Sequence, residues 1–189
     1  MVKAVPFVLA ALLGLSACMP PGGGTTGSAS VMVGGKPMPP TRTILDNAAA
    51  SADHTLLVHA VEAAGLADTL ESPGPYTIFA PTNAAFGRLP AGTLDRLVRP
   101  ENKEGLVRLL GYHIVPGRLD AAALRRAIAA GGGRAALRTV GGGTLTAMLN
   151  GPDTIVLRDA RGGVAAISIY DVAQSNGMLH VIDRVLSPN

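Results

Sequence analysis

Two kinds of apolar spacing divide this chain, and their order constrains its fold more than any other feature. Between about Thr43 and Ala130, apolar residues recur mostly at helical intervals, whereas from Arg134 onward they form the short runs that are typical of strands. Regular alternation of strands with helices would instead indicate a parallel sheet. The segregation of helices early and strands late therefore predicts an α+β domain.

Capping residues and helix breakers set the limits of the predicted helices. Thr43 is placed to cap a first helix and Asp120 a later one, while Pro100 ends another because the residue before proline avoids helical backbone. Two apolar segments in this half, 76–80 and 112–115, predict short strands. The second helix has an apolar face made of Leu57, Ala60, Val61 and Ala64.

Short apolar runs in the second half are separated by glycine-rich turn sequences. Turn residues between successive runs make antiparallel pairing of sequence neighbours the economical arrangement. The predicted strands occupy 134–140, 144–149, 154–159 and 164–170, and the last one lies within 175–186.

The N-terminus has the layout of a secretory signal. Lys3 supplies a positive start, and the apolar run that follows has about 14 residues, fewer than the about 20 that a membrane-spanning helix needs. The sequence "LSAC", which ends at Cys18, resembles the lipobox of bacterial lipoproteins and implies a signal peptide over 1–17 and a lipidated Cys18. Met19 then implies outer-membrane sorting where a cell has two membranes. The alternative is an ordinary signal peptide that leaves an unpaired thiol.

The remaining chain is expected to form a tether and one domain. Residues 18–40 are rich in Gly, Pro and Ser, which predicts a flexible tether. A Gly-x-Gly-x-x-Gly match at 22–27 lacks the preceding strand and the following helix that dinucleotide binding requires. Residues 41–189 have the size of one domain, and a single cysteine leaves its stability to packing.

Charge and aromatic content argue against a nucleic-acid partner. Removal of Lys3 with the signal lowers the formal charge from +3 to +2, because 15 basic residues then face 13 acidic ones. The chain has no Trp and few other aromatic residues, too few for platforms that stack bases or sugars.

Three separated stretches together resemble the fasciclin domain family, also called the beta-Ig-H3/fasciclin family. They are "YTIFAPTNAAFGRLP" (76–90), "YHIVPGRL" (112–119) and "SNGMLHVIDRVLSP" (175–188), and they occur in the family's order. The flanking sequences agree as well, so the resemblance covers about residues 41–188 and implies a fasciclin domain over 41–189.

The resemblance implies a fasciclin-like wedge, in which two packed β-sheets are bordered by several helices. It also implies adhesion or binding at the cell surface, without catalysis or a cofactor. Glu104-Gly105 stands where adhesive animal members are associated with an Asp-Ile element, and the chain has no Arg-Gly-Asp triplet, so integrin recognition is not carried over. The residues that match the family's motifs, in structural or binding roles, are Thr82, Asn83, Tyr112, His113, His180 and Asp183.

The histidines are candidates for catalytic and metal-binding roles. His113 and His180 are possible general bases, but strand alternation directs His180 and Asp183 to opposite faces. A buried, hydrogen-bonded His180 and an Asp183 bonded to backbone or to an arginine are therefore expected. No nucleophile elbow completes a triad, and His54 and His59 lie five residues apart, which argues against a shared metal.

The expected role is that of a non-catalytic, extracytoplasmic adhesion or binding module, anchored to the membrane through Cys18. Its partner is an unidentified protein or polysaccharide of the envelope or matrix, and a monomer is favoured. One alternative is a carrier of a small apolar ligand, such as a pigment or lipid, in a groove between Ala-rich layers. Another hypothesis is an anion-binding patch made of Arg118, Arg125, Arg126, Arg134 and Arg138, against which stands an ordinary solvated surface.

Overall fold

The structure is a computed structural model that describes residues 30–188. Most of its helices precede most of its strands. The helices are α1 (Ile44–Ala50), α2 (Thr55–Ala64), α3 (Ala67–Glu71), α4 (Asn83–Gly87), α5 (Thr93–Leu97), α6 (Lys103–Tyr112) and α7 (Ala121–Ala130), with a 3₁₀ turn at Pro100–Asn102. The strands are β1 (Val31–Val33), β2 (Lys36–Met38), β3 (Tyr76–Pro81), β4 (Ile114–Pro116), β5 (Arg134–Arg138), β6 (Thr144–Asn150), β7 (Thr154–Arg158), β8 (Val164–Gln174) and β9 (Gly177–Ile182).

The predicted caps and the predicted helix face are confirmed. The hydroxyl of Thr43 accepts a hydrogen bond from the Asp46 backbone N–H at 3.2 Å, and the carboxylate of Asp120 accepts one from Ala123 at 2.6 Å. Each satisfies a backbone donor that the first turn of a helix leaves unpaired. The four apolar residues predicted for the inner face of α2 are buried.

Within residues 30–188, seven strands form one hydrogen-bonded sheet in the order β4-β3-β9-β8-β7-β6-β5, and β1 pairs with β2 in a separate hairpin. Strands β5 to β9 pair antiparallel with their sequence neighbours, as predicted. β3 and β9 instead run parallel, although one lies early and the other late in the domain. This parallel pairing joins the helical half of the chain to the strand half.

β8 divides the large sheet into two parts. Its first residues pair with β7 and its later ones with β9, and the register shifts twice between Ile167 and Val172. Asp171 lies at the second shift with a φ of 58°, a left-handed conformation that Asp tolerates better than most residues. We call β4, β3, β9 and the end of β8 the seam sheet, and β5, β6, β7 and the start of β8 the hairpin sheet.

Two apolar clusters lie on opposite faces of the seam sheet. Ile78 and Leu179 face a first cluster, which contains residues of α1, α2 and α6. Phe79 and Ile182 face a second cluster, which contains α7 and the inner face of the hairpin sheet. The two parts of the sheet therefore pack against each other, and the predicted α+β wedge of two packed sheets bordered by helices is confirmed.

Two predicted boundaries are wrong. Tyr112 ends α6 and His113 caps it in helical conformation, so the strand expected at 112–115 begins at Ile114. The tether expected to reach residue 40 ends earlier, because β1 and β2 form a hairpin whose Val33 and Met38 are each only 1% exposed. Burial of these side chains in the first cluster holds the hairpin on the domain.

The signal peptide predicted over 1–17, Cys18 and the start of the tether lie outside the described residues. Within residues 30–188, helices long and apolar enough to cross a membrane are absent.

Candidate functional site

The six side chains that match the family's motifs lie around the two strands of the β3–β9 pair. Thr82 and Asn83 directly follow β3, and Asp183 directly follows β9, so the parallel pairing brings these residues to one end of the seam sheet. His180 lies on β9 opposite Phe79, and the backbone N–H of Phe79 donates to the carbonyl of His113 at 2.9 Å. Both histidines therefore lie beside Phe79 of β3, His180 in the neighbouring strand and His113 at the end of α6.

His180 is fully buried, and both of its ring nitrogens have partners. Nδ1 accepts from the Asp171 backbone N–H at 3.2 Å, so Nε2 carries the proton and donates to the Leu119 carbonyl at 2.8 Å. The ring stacks on Phe79 with centroids 5.7 Å apart. Burial lowers the pKa of His180, against the opposing effect of the hydrogen bond to Leu119. The prediction of a buried, hydrogen-bonded His180 is confirmed.

His113 is engaged in the same way at the end of α6. Its Nδ1 lies 2.8 Å from the Leu109 carbonyl, and its Nε2 accepts from the Leu186 backbone N–H at 2.9 Å, which assigns the proton to Nδ1. Burial lowers the pKa of His113 to about 4. A base with this pKa and no free lone pair is poorly matched to proton abstraction near neutral pH. The His113 ring instead links α6 to the backbone of Leu186, near the C-terminus.

Asp183 has partners other than His180. Its Oδ1 accepts from the Ala166 backbone N–H at 2.7 Å, and its Oδ2 lies 3.1 Å from Nη1 of Arg88. The prediction that Asp183 bonds to backbone or to an arginine is therefore confirmed. Asp183 and His180 do not form a catalytic pair.

Thr82 and Asn83 organise the turns that follow β3. The Thr82 hydroxyl caps α4 by accepting from the Ala85 N–H at 3.2 Å. The Asn83 amide reaches the other way, accepting from the Leu56 N–H at 3.0 Å and donating to the Ala52 carbonyl at 2.9 Å. Asn83 thus fixes the start of α2, because the N-cap residue of that helix, His54, makes no side-chain capping hydrogen bond.

Tyr112 links α6 to the hairpin sheet. Its hydroxyl donates to the Thr144 carbonyl at 2.8 Å and accepts from the Ala160 N–H at 3.0 Å, and burial raises its pKa. The ring lies against Gly143, where a Cβ would come within 2.4 Å of it. A hydroxyl with both hydrogen bonds made inside the domain serves a structural role.

A serine and a histidine that the sequence analysis did not pair come together under the hairpin turn. The Ser51 hydroxyl lies 3.0 Å from Nδ1 of His54, and both residues are almost completely buried. Burial lowers the pKa of His54. A substrate has no access to this pair, which argues against nucleophilic catalysis. His59 is exposed on α2, so His54 and His59 do not share a metal-binding face.

Among the described residues, clusters of three or more His, Cys, Asp or Glu side chains that could hold a metal ion are absent. The ion pairs in the same region are Arg88–Asp183 and Arg99–Glu101, and both are exposed. The structure therefore offers no geometric support there for metal chemistry.

Other buried polar residues were missed because no spacing rule signals them. Asn47 donates to the Pro39 carbonyl at 2.9 Å and also bonds Gln174. Asn176 accepts from the Ile44 N–H at 3.1 Å and donates to the Leu70 carbonyl. The only sequence signal was the placement of amides between apolar runs. These amides join β8 and β9 to the first helices.

An apolar cavity inside the helical half is too small for the carrier role. It is lined by α1, α2, α6 and the two parallel strands, and its volume is about 20 Å³. Room of this size accommodates about one water molecule, whereas small-molecule sites occupy about 300–1,000 Å³. This cavity is therefore too small to hold a pigment or lipid.

The five arginines do not form one patch. Arg134 and Arg138 lie on the outer face of β5, whereas α7 packs on the opposite face through Leu124 and Ile128. Arg125, on α7, donates to the Asp153 carbonyl at 2.9 Å. The sheet thus separates two groups of arginines that the sequence places close together.

Comparison with known proteins identifies the relatives of this domain. The family model of the fasciclin domain matches residues 52–188 of this chain. "Protein sll1483" of Synechocystis sp. is 39% identical over 148 residues, which are 77% of this chain and 73% of that protein. Immunogenic protein MPB70 of Mycobacterium bovis is 37% identical over 65% of this chain and 54% of its own length.

Longer proteins contain similar segments. "Transforming growth factor-beta-induced protein ig-h3" of Sus scrofa is 39% identical over 69% of this chain, but the match spans only 17% of its own length. A solved FAS1 domain pair from the insect cell adhesion molecule Fasciclin I superposes with a TM-score of 0.56 at 26% identity. That superposition covers 69% of this chain and 45% of the solved chain.

Proposed function

The chain belongs to the fasciclin domain family, and from this premise we propose that it is a non-catalytic adhesion or binding module, held outside the cytoplasm by a lipid on Cys18. It contacts a protein or polysaccharide of the cell envelope or matrix through its outer surface. Where the cell has two membranes, the anchor lies in the outer one.

One observation carries the proposal: the polar groups of the family motifs are used inside the domain. His113 and His180 each have both ring nitrogens paired, and Tyr112 has its hydroxyl paired on both sides. Catalysis needs a base or nucleophile that a substrate can reach. Because these groups are buried and paired, recognition is left to exposed side chains.

The relatives support the same role. Fasciclin I is described as an insect cell adhesion molecule, and 45% of its solved domain pair superposes on this fold. The sequence before residue 30 adds the anchor, because the "LSAC" stretch resembles a lipobox and the chain has no other cysteine. Several acyl chains on one residue would give firm attachment, since each buried methylene contributes about 0.8 kcal/mol.

The anchor is tested by comparing the full chain with a Cys18→Ala variant in cells fed a clickable fatty acid. A Ser16→Ala variant, which keeps the cysteine, is the matched control. Labelled protein in the membrane fraction is expected for the full chain and the control, and unlabelled protein for Cys18→Ala. An unlabelled full chain would exclude the lipid anchor.

The binding role is tested on intact cells with a membrane-impermeant cross-linker. The same envelope component should be recovered with the full chain and with Ser16→Ala, and its yield should fall with Cys18→Ala because the domain is no longer held beside it. Purified protein should also bind that component directly. Failure of direct binding, or substrate turnover that is lost in a His180→Phe variant which stays folded, would contradict a non-catalytic binding module.

A further inference from the structure

The β1–β2 hairpin has an apolar outer face next to the point where the N-terminal segment joins the domain. Met32 pairs with Pro37, and both point away from the core side that Val33 and Met38 occupy. Met32 is 59% exposed, more than any other large apolar side chain in residues 30–188. The hairpin precedes the segment that the family model matches, 52–188.

The hairpin is firmly docked on the domain. The Pro39 carbonyl accepts hydrogen bonds from the Asn47 amide at 2.9 Å and from the Arg42 N–H at 3.3 Å. Its turn lies so close to the loop before α2 that a Cβ on Gly34 would come within 2.3 Å of the Ser51 hydroxyl. A surface that holds the hairpin would therefore also fix the orientation of the domain.

The length of chain before β1 keeps this hairpin near any anchor at Cys18. Twelve residues, 19–30, lie between them. A Gly-rich segment of that length spans about 20 Å on average and about 40 Å at full extension. A domain of this size is itself about 40 Å across, given a radius of gyration of about 15 Å. The domain surface around Val31 can therefore reach a membrane that holds an anchor at Cys18.

Charge favours the same contact. Between Cys18 and Arg42 the chain has no acidic residue, and the first one, Asp46, is bonded to the hydroxyl and the N–H of Thr43. Lys36 and Arg42 are exposed. Basic residues close to an anionic leaflet are attracted to it, and an apolar side chain that enters the interface strengthens the binding.

We propose that the outer face of the β1–β2 hairpin, formed by Met32 and Pro37, rests on the anionic lipid surface that holds the Cys18 anchor, with the exposed Lys36 beside this face at the hairpin turn. This inference rests on the proposed lipid anchor. β2 packs near the end of β8, and β8 extends up to about 33 Å from Gln174 to Val164. The contact would thus direct the hairpin sheet away from the membrane, toward a partner.

The test uses single cysteines in the full, acylated chain, because a lipid on the Cys18 sulfur leaves no free thiol there. Met32→Cys places a fluorophore on the hairpin, while Val140→Cys and Val164→Cys place it at two other exposed apolar positions, 49% and 44% exposed. The labelled proteins are reconstituted into vesicles of phosphatidylethanolamine and phosphatidylglycerol that contain a quencher lipid. Quenching several-fold stronger at 32 than at 164 is expected, with a smaller difference when phosphatidylglycerol is left out.

Equal quenching at positions 32 and 164 in vesicle-bound protein would overturn the hairpin contact and leave the anchor intact. A parent chain that takes up label at Cys18 and stays off the vesicles would overturn both the anchor and the contact that depends on it. Adding Lys36→Glu to Met32→Cys should reduce the quenching. Unchanged quenching in that double variant would contradict the electrostatic part of the proposal.

Discussion

The hairpin sheet and the seam sheet differ in how their strands pair and in where their polar side chains lie. In the hairpin sheet, sequence neighbours pair and the polar side chains, such as Arg134 and Arg138, face solvent. In the seam sheet, strands from opposite ends of the domain run parallel, and polar side chains such as His180 are buried and hydrogen-bonded. The difference indicates that the motif residues hold distant segments together, while the polar side chains of the hairpin sheet are exposed.

The largest expected effect is the loss of a buried seam histidine. His180→Ala removes the stacking on Phe79 and leaves the Leu119 carbonyl and the Asp171 N–H unpaired, so the free energy of unfolding should fall by about 3–5 kcal/mol. His180→Phe refills the volume and should recover part of the loss. Thr154→Ala, at an exposed position of β7 in the hairpin sheet, should cost less than about 1 kcal/mol. Urea denaturation measures the free energy of unfolding of all three variants. Similar losses in His180→Ala and in the hairpin-sheet control would contradict the difference between the two sheets.

Acid should lower the free energy of unfolding because it protonates buried histidines that lie in or near the seam sheet. The pKa of folded His113 is about 4, below its usual 6.5, so between these values the unfolded chain binds a proton that the folded protein excludes. Stability is then complete above about pH 6.5 and falls by about 3 kcal/mol as the pH drops to about 4. Burial lowers the pKa of His180 and His54 as well, which adds loss in the same direction.

Urea midpoints measured from pH 7.5 to 4 test this pH dependence. The hairpin sheet, residues 134–166, has no histidine, so this loss of stability originates elsewhere. A His113→Gln variant should be less stable at pH 7.5 and should show a shallower pH dependence. An unchanged slope in that variant would assign the acid sensitivity to other groups.

A smaller effect is expected for the amide that fixes the start of α2. Asn83→Ala removes the hydrogen bonds to Leu56, Ala52 and Thr55 and should cost about 2 kcal/mol in the free energy of unfolding. Asn83→Asp keeps the acceptor for the Leu56 N–H and should be less damaging. Asn150→Ala, at the exposed end of β6, is the matched change in the hairpin sheet, and a loss as large there would contradict the comparison.

The smallest effect is expected for the exposed ion pair at the end of the seam. Asp183→Asn retains an oxygen for the Ala166 N–H but loses the charge opposite Arg88, whose side chain is 54% exposed. The cost should stay below about 1 kcal/mol, because solvent screens such pairs. NMR of the His180 ring should show no change in its titration. A clear shift would mean that Asp183 and His180 interact after all.

Local features of this fold could be predicted, whereas contacts between distant segments could not. Thr43 and Asp120 cap helices by bonding residues three positions away, and the inner face of α2 follows from its spacing. The parallel pairing of β3 with β9 leaves no local signal, because the two strands lie far apart in the sequence. The β1–β2 hairpin was missed because three-residue strands around Gly34 are too short to show alternation.

The region around Tyr112 shows why a local signal can mislead. The strand predicted at 112–115 implies that the preceding helix ends at Gly111, a residue type that commonly ends helices. The helix continues to Tyr112, and Gly111 serves instead to let the Gly141 backbone approach, with the Gly141 N–H donating to its carbonyl at 2.8 Å. The burial of His180 could be predicted from alternation. Its bond to Asp171 could not, because it depends on the irregular backbone of β8.

Nitrogen NMR of the four imidazole rings tests the central claim most directly, with His113→Gln and His180→Phe variants to assign the signals. A structural role predicts that His113 stays neutral with its proton on Nδ1 until about pH 4, and that His180 carries its proton on Nε2 and titrates below pH 6.5. A His113 or His180 ring that titrates at or above pH 6.5 while exchanging its proton freely with water would contradict this account.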